Sequence, residues 1–418
     1  MKNLRSLSLI LLLIINIIPG ARAQNWPGWR GPSGDGTSTE TGLPVKWDSV
    51  TNVVWKTPVP GNGYSSPVIW ENRLFLTTAF NESQDKSLLC YDTGSGQLLW
   101  QQTVVKGPFE AKHRDNSYAS GTPVTDGSLV YVSFLDDKDV VVAAYDFAGN
   151  QIWLARPGTF ISPHGYSCSP ILYKDMVIIN GNSPRGESFA AALSRKDGKT
   201  VWKVLHDENP AHSFSTPIIR EMAGKTQMIF GGNQQISSYN PDDGSRYWFV
   251  EGPSTDFCSS PVYDEESGLV LMSSAWPRRI LVAIKPDGSG NVTESHVVWE
   301  STSGAVYVPS PLIAGGYLFT TMTNGLVHCI EPATGNIMWT ENLGSQYSSP
   351  VLADGLIYIP NDDGVITVIK PGPEFQHISK NDLGEGMFAS PAISNGKIYL
   401  RGFEHLYCIS TDGMLGVN

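Results

Sequence analysis

Alternating apolar and polar residues recur along the chain in short runs. RLFLTTA (residues 73–79), LVYVSF (129–134), MVIING (176–181), YLFTTM (317–322), LIYIP (356–360) and KIYLRG (397–402) are examples. A period of two puts every second side chain on one face of an extended chain, so each run predicts a β-strand. Turn signals such as TDGS, ADG and SNGK precede these runs. A further extended run follows, such as LLCYD, VVAAYD, LVHCIEP or LYCIS. A Gly-containing turn then leads to a strand that ends in Trp, at Trp100, Trp153, Trp202, Trp248, Trp299 and Trp339. The seventh copy, IKPGPEFQHI, has no Trp.

Each set opens with Ser or Thr, then Pro, then usually an aliphatic residue. The phrase ends at Val68, Val124, Ile171, Ile218, Val262, Leu312, Val351 and Ala392. These eight copies stand roughly 40 to 55 residues apart, the period expected of propeller blades. One four-stranded sheet cannot bury both of its faces, but sheets arranged radially cover one another. The pattern therefore predicts an all-β, eight-bladed β-propeller of four-stranded antiparallel blades. Asn52–Lys56 is an outer-strand phrase with no blade before it, and the last copy ends at Ser410 with no Trp strand after it. The N-terminal strand is expected to complete the last blade and close the ring, with Trp55 between that blade and a neighbour. Closure removes the open edge of an unclosed sheet.

Composition agrees with a strand-and-turn protein: 42 Gly and 28 Pro supply turns. Lys2 and Arg5, the apolar run Leu7–Ile18 and Ala21-Arg22-Ala23 read as a cleaved signal peptide over residues 1–23. Residues 24–51 form an N-terminal extension and 52–418 the propeller. No cysteine follows the cleavage site, so the expected product is periplasmic or secreted, with no lipid anchor and no transmembrane segment. A net charge of −11 without a basic stripe argues against nucleic acid. The five cysteines are neither vicinal nor in C-x-x-C, and Cys90, Cys329 and Cys408 recur at one repeat position. They read as small apolar packing rather than a disulfide framework.

The repeats resemble the pyrroloquinoline-quinone (PQQ)-like repeat family, whose motif runs Asp-x-x-Thr-Gly-x-x-x-Trp near each blade's end. Asp92–Trp100 and Glu331–Trp339 match it best. The resemblance extends from Trp26 nearly to the C-terminus. The opening Trp26–Pro32 and Gly42–Pro44 also resembles that of secreted PQQ-repeat proteins. Two groups in the family are similar: quinoprotein alcohol dehydrogenases and the propeller lipoprotein of outer-membrane protein assembly. The chain lacks the Cys-Cys pair of the first group and a cleavage-site cysteine of the second, having Gln24 there.

By fold analogy, a ligand face would be built from the loops leading into the inner strands and those between the second and third strands. There the sequence places His113 and Arg114, His164, His212, Trp276, Arg278, Arg279, Tyr307 and Asp362. The three histidines fall at similar positions in the second to fourth blades, and Arg278 and Arg279 are expected across the axis from them. Such a set suits acid–base chemistry or an anionic ligand. The same residue types also serve as polar rim and loop hydrogen-bonding positions. Three histidines also suit a metal, but no spacing on one element marks a site and none is assigned. A ring of aromatics (Tyr64, Tyr118, Tyr166, Phe214, Phe257, Tyr307, Tyr347, Phe388) reads as repeat packing. No G-x-S-x-G, H-E-x-x-H or phosphate loop is present. The reading that fits is a binding or scaffold propeller for a protein or carbohydrate partner. The alternatives are a quinoprotein oxidoreductase holding PQQ with Ca²⁺, as the resemblance implies, and a polysaccharide-acting enzyme such as a lyase.

Overall fold

The computed structural model describes residues 24–206, 211–252 and 254–414. The signal-peptide reading of residues 1–23 lies outside them. Eight antiparallel sheets of four strands follow one another, as the repeat predicts. The first blade, from the axis outwards, is Val68–Trp70, Arg73–Phe80, Asp85–Asp92 and Leu98–Val105. The last blade is Ala392–Ser394, Lys397–Arg401 and His405–Met414, completed by Thr51–Pro58 from the start of the chain. Trp55 there pairs with Cys408, and Pro58 with His405. One blade gains a short parallel strand, Gly290–Asn291, beside Arg246–Glu251.

The outer-strand tryptophans join each blade to the next. The indole N–H of Trp55 donates to the Thr93 carbonyl at 3.0 Å, across the ring's closing seam. Trp100 donates to Phe147, Trp153 to Arg195, Trp202 to Pro241, Trp248 to Pro286, Trp299 to Pro332 and Trp339 to Gly372. All of these acceptors lie in the turn before the outer strand of the following blade. The glycine of that turn has positive φ (Gly96 +71°, Gly198 +71°). A Cβ at Gly96 would stand 2.7 Å from the Trp55 ring, so this glycine meets both a backbone and a packing requirement. Cys90, Cys329 and Cys408 are buried and free, as the repeat reading expects.

The seventh blade shows what the missing Trp costs and what replaces it. Ser379 opposes Val368 next to the bulge, the position held elsewhere by Trp, as with Trp339 opposite Cys329. Ser379 and Asn381 both hydrogen-bond the carbonyl of Val45, and the Trp47 N–H donates to Asn381 at 2.9 Å. These bonds seat Trp47 against Tyr358, ring centroids 6.3 Å apart. Trp339 meets Phe319 of its own blade at a similar distance, 5.8 Å, with the rings tilted by 54°. The N-terminal extension therefore supplies the absent indole.

At the axis, the Ser or Thr before each Pro forms a belt. Backbone N–H groups donate to the hydroxyl of the next blade: Ser66 to Thr122, Thr122 to Ser169, Ser169 to Thr216, Ser260 to Ser310, Ser310 to Ser349, Ser349 to Ser390 and Ser390 to Ser66. Among the described residues the step from Thr216 to Ser260 carries no such bond. There the Ser260 hydroxyl accepts the indole N–H of Trp29 at 3.3 Å. The following Pro restricts each Ser or Thr to extended backbone and brings no N–H that would need a partner in the crowded centre.

Residues 26–40 pack on the inner strands beyond this belt. Trp26 pairs with Ile69, the Thr125 N–H donates to the Pro27 carbonyl, the Ser38 N–H to the Leu352 carbonyl and the Leu352 N–H to the Gly36 carbonyl (2.8 Å each). Arg30 is buried, with its guanidinium on the carbonyls of Asp35 and Pro311. Burial lowers its pKa to about 10. The extension thus plugs the end of the channel opposite the ligand-face loops, and then runs outwards through Trp47 to Thr51.

Trp47→Ala should lower unfolding free energy by about 3 kcal/mol in denaturant titrations, the cost of emptying a large aromatic site. Because the Trp47 indole N–H has no partner, Trp47→Phe should recover most of that loss. Trp55→Phe should recover less, since it strands the Thr93 carbonyl. His206 is buried against Asn182 and Tyr239, and burial holds its pKa near 4. The unfolded chain protonates below about pH 6.5 while the folded chain resists until about pH 4. Stability should fall by roughly 3 kcal/mol over that window and be insensitive to this group above it. His206→Phe should flatten the slope measured by thermal unfolding at stepped pH.

Candidate functional site

Above the hydroxyl belt lies an axial cavity of about 260 Å³, floored by Trp29. Its walls differ. The second to fourth blades contribute His113, Asp115, His164 and Phe214, and Asp256 and Cys258 continue that side. The seventh, eighth and first contribute Tyr347, Phe388 and Tyr64, with Tyr347 and Phe388 stacked at 4.5 Å and Phe388 edge-on to Tyr64 at 4.9 Å. Tyr307 and Val308 close the gap between the walls. None of the lining residues is Lys or Arg.

A row of imidazoles runs inwards from the rim. His113 and His164 rings are 6.0 Å apart, and His164 and His212 rings 5.1 Å. His212 Nδ1 lies 3.2 Å from an Asp256 carboxylate oxygen, both side chains being largely buried. The loop that carries His113 is pinned underneath by a buried ion pair between Lys86 and Glu110. Asn116 of the same loop donates to the His164 carbonyl at 2.7 Å. Burial, then the neighbouring His212, lowers the pKa of His164.

The same loop spans the cavity mouth. Asp115 accepts the Tyr347 hydroxyl at 3.2 Å from the opposite wall. Burial, reinforced by Asp115, pushes that hydroxyl up to about 12. Asp362 stands behind Tyr347, accepting its backbone N–H at 2.8 Å and the Ser345 hydroxyl. Burial raises the Asp362 pKa. Its part is to orient the aromatic wall rather than to face the cavity.

The residues singled out from sequence thus separate. His113, His164 and Tyr307 line the cavity, and His212 stands beside it on Asp256. Arg114 points to solvent, its side chain 88% exposed, with Asp115 3.5 Å from its guanidinium. Trp276 is 59% exposed on the rim, its carbonyl accepting the N–H of Asp256. Arg278 and Arg279 are exposed on the same strand connection. They do not lie across the axis from the histidines, because the pairing of Asp256 with Trp276 puts their loop beside His212. The aromatic ring also divides: Tyr166 and Phe257 are buried between blades, and Tyr118 stacks on Phe109 at 3.7 Å, while the others line the cavity. Trp29 was not anticipated. Its only sequence signal is a Trp, Gly and Pro-rich stretch ahead of the first strand.

Comparison with known proteins agrees with this architecture. A family model described as outer membrane protein assembly factor BamB matches residues 37–116, 84–275 and 262–371. Outer membrane protein assembly factor BamB of Yersinia pestis is 21% identical over 365 residues, covering 86% of this chain and 78% of the relative. Among solved structures, BamB from Moraxella catarrhalis superposes with a TM-score of 0.58 at 13% identity, over 85% of this chain and 99% of that one. Quinohemoprotein alcohol dehydrogenase from Comamonas testosteroni gives 0.67 at 10% identity, over 94% and 81%. At such identities these structural likenesses speak to the fold. With the family model reaching from residue 37 to residue 371, the chain belongs to the PQQ-like repeat β-propeller family that the BamB model describes.

Proposed function

We propose that this chain is an exported scaffold propeller that engages a protein partner through the face bearing the cavity mouth. The observation that carries the reading is the cavity lining. PQQ is a planar quinone with three carboxylates and needs cations around it, as any buried anion does. The lining offers Asp115 and Asp256 and no Lys or Arg. It has one thiol, Cys258, which burial pushes up to about 12. These residues do not fit the quinone.

Family membership supports a scaffold role, since the relatives' name is that of an outer membrane protein assembly factor. The rim presents Trp276 and Phe403 as exposed aromatics and Arg114 as an exposed cation. Such residues form the energetic centres of protein interfaces. Among the described residues no helix is long and apolar enough to cross a membrane. A periplasmic or secreted location rests on the N-terminal signal pattern.

Calorimetric titration of the purified protein with PQQ, with and without Ca²⁺, should give no binding heat. Stoichiometric tight binding would overturn the reading in favour of a quinoprotein oxidoreductase. A photo-crosslinking residue at position 276 should trap a discrete protein partner in the source cell, whereas one at position 205, on an outer strand, should not.

A further inference from the structure

We propose that His164, His212 and Asp256 form a binding site for one divalent transition-metal ion of the zinc class, at the side of the axial cavity. One ligand atom from each residue lies within 4.8 Å of the other two. The three come from loops of successive blades, so the closed ring holds them together. Among the described residues the other group of this kind, Glu385, Glu404 and His405, has two carboxylates to one imidazole, and none of the three lines the axial cavity.

The hydrogen bonding at His212 points to a ligand. Its Nδ1 faces Asp256 at 3.2 Å. An ion seated beside these two atoms would bind the imidazole through Nδ1, one of the two ring nitrogens that ligate metals, and would have the Asp256 carboxylate within reach on the same side of the ring. The His164 ring stands 5.1 Å from that of His212, at 71° to it. Small side-chain rotations would bring the donor atoms to bonding distance of one ion.

The donor set selects the metal. Two imidazole nitrogens and one carboxylate oxygen suit Zn²⁺, Co²⁺ or Ni²⁺, whereas Ca²⁺ and Mg²⁺ prefer oxygen alone. Three protein ligands leave a fourth position, and His164 and Asp256 both line the cavity. That position would face the cavity, where a water or a small solute could occupy it. His113 is 6.0 Å from His164 and half-exposed, outside the ligand set. The proposal is independent of the scaffold reading, since it concerns the cavity wall and not the rim.

The test is calorimetric titration of the chelator-treated full-length exported protein with Zn²⁺, and visible absorption of the Co²⁺-loaded form. One ion per chain is expected, with Co²⁺ bands of low coordination number. His212→Phe keeps a ring stacked beside Phe214, which lies 6.0 Å away at 14°, and removes the nitrogens. It and His164→Ala should each weaken binding by about 100-fold or more, at least the range seen when the outer partners of a metal site are lost. His113→Ala should leave affinity within about twofold. Circular dichroism of each variant checks that the propeller is intact. No stoichiometric binding, or binding that survives in the folded His164→Ala/His212→Phe protein, overturns the proposal. So does loss of binding in His113→Ala alone, because it would move the site to the rim.

Discussion

The backbone-to-hydroxyl bonds at the axis are the constraint on which the molecule depends. Each blade's inner strand is short, only Val68–Trp70 in the first, so its own ladder offers little. The Ser or Thr before Pro gives each blade one acceptor for its neighbour, and its own N–H reaches the next hydroxyl. A buried N–H left without such a partner costs about 1–3 kcal/mol, so each link matters out of proportion to its net strength. The belt also sets the radius of the channel and hence the size of the cavity above it. Where the belt breaks, between Thr216 and Ser260, the structure inserts Trp29, and the cavity acquires its floor.

At the outer end of the seam the tryptophans do the corresponding work. Their rings cross from blade to blade, and the turn they reach must present a carbonyl and have no Cβ in the way. The two requirements explain why Gly and Trp recur together in the repeat. The seventh blade breaks the pattern and recovers it with Trp47, delivered by a segment that begins as the axial plug. One stretch of chain thus closes the ring with Thr51–Pro58, fills a missing outer site and seals one end of the channel. The result is a one-ended cavity with an aromatic wall facing a histidine and carboxylate wall.

Much of this was legible in the sequence, for a physical reason. Strand alternation and the eightfold Ser/Thr-Pro and Gly–Trp phrases are local and repeated, so errors in one copy are corrected by the others. The closure by Asn52–Lys56 followed from a strand phrase with no blade of its own. What escaped was set by contacts between residues far apart in the chain. Trp29 and Trp47 belong to no repeat, and their partners, Ser260 and Tyr358, are more than two hundred residues away. The meeting of Asp115 with Tyr347 is of the same kind. Repeat position alone made Tyr166, Phe257 and Tyr118 equivalent to Tyr347, whereas burial between blades removes the first two from the cavity and stacking on Phe109 draws off the third. Arg278 and Arg279 were misplaced because the pairing of Asp256 with Trp276, which brings their loop beside His212, has no local signature.

The most direct measurement is hydrogen exchange, by mass spectrometry, at the amides of Ser66, Ser310, Ser349 and Ser390. All four donate to a neighbouring blade's hydroxyl at 2.9–3.0 Å, and Ser390 does so across the closing seam. If the belt joins the blades into one cooperative unit, the four should exchange with similar protection, close to that of global unfolding. Rapid exchange at Ser390 with the other three still protected would mean that the ring opens at its seam. The belt and the N-terminal strand would then not be what holds the cavity together.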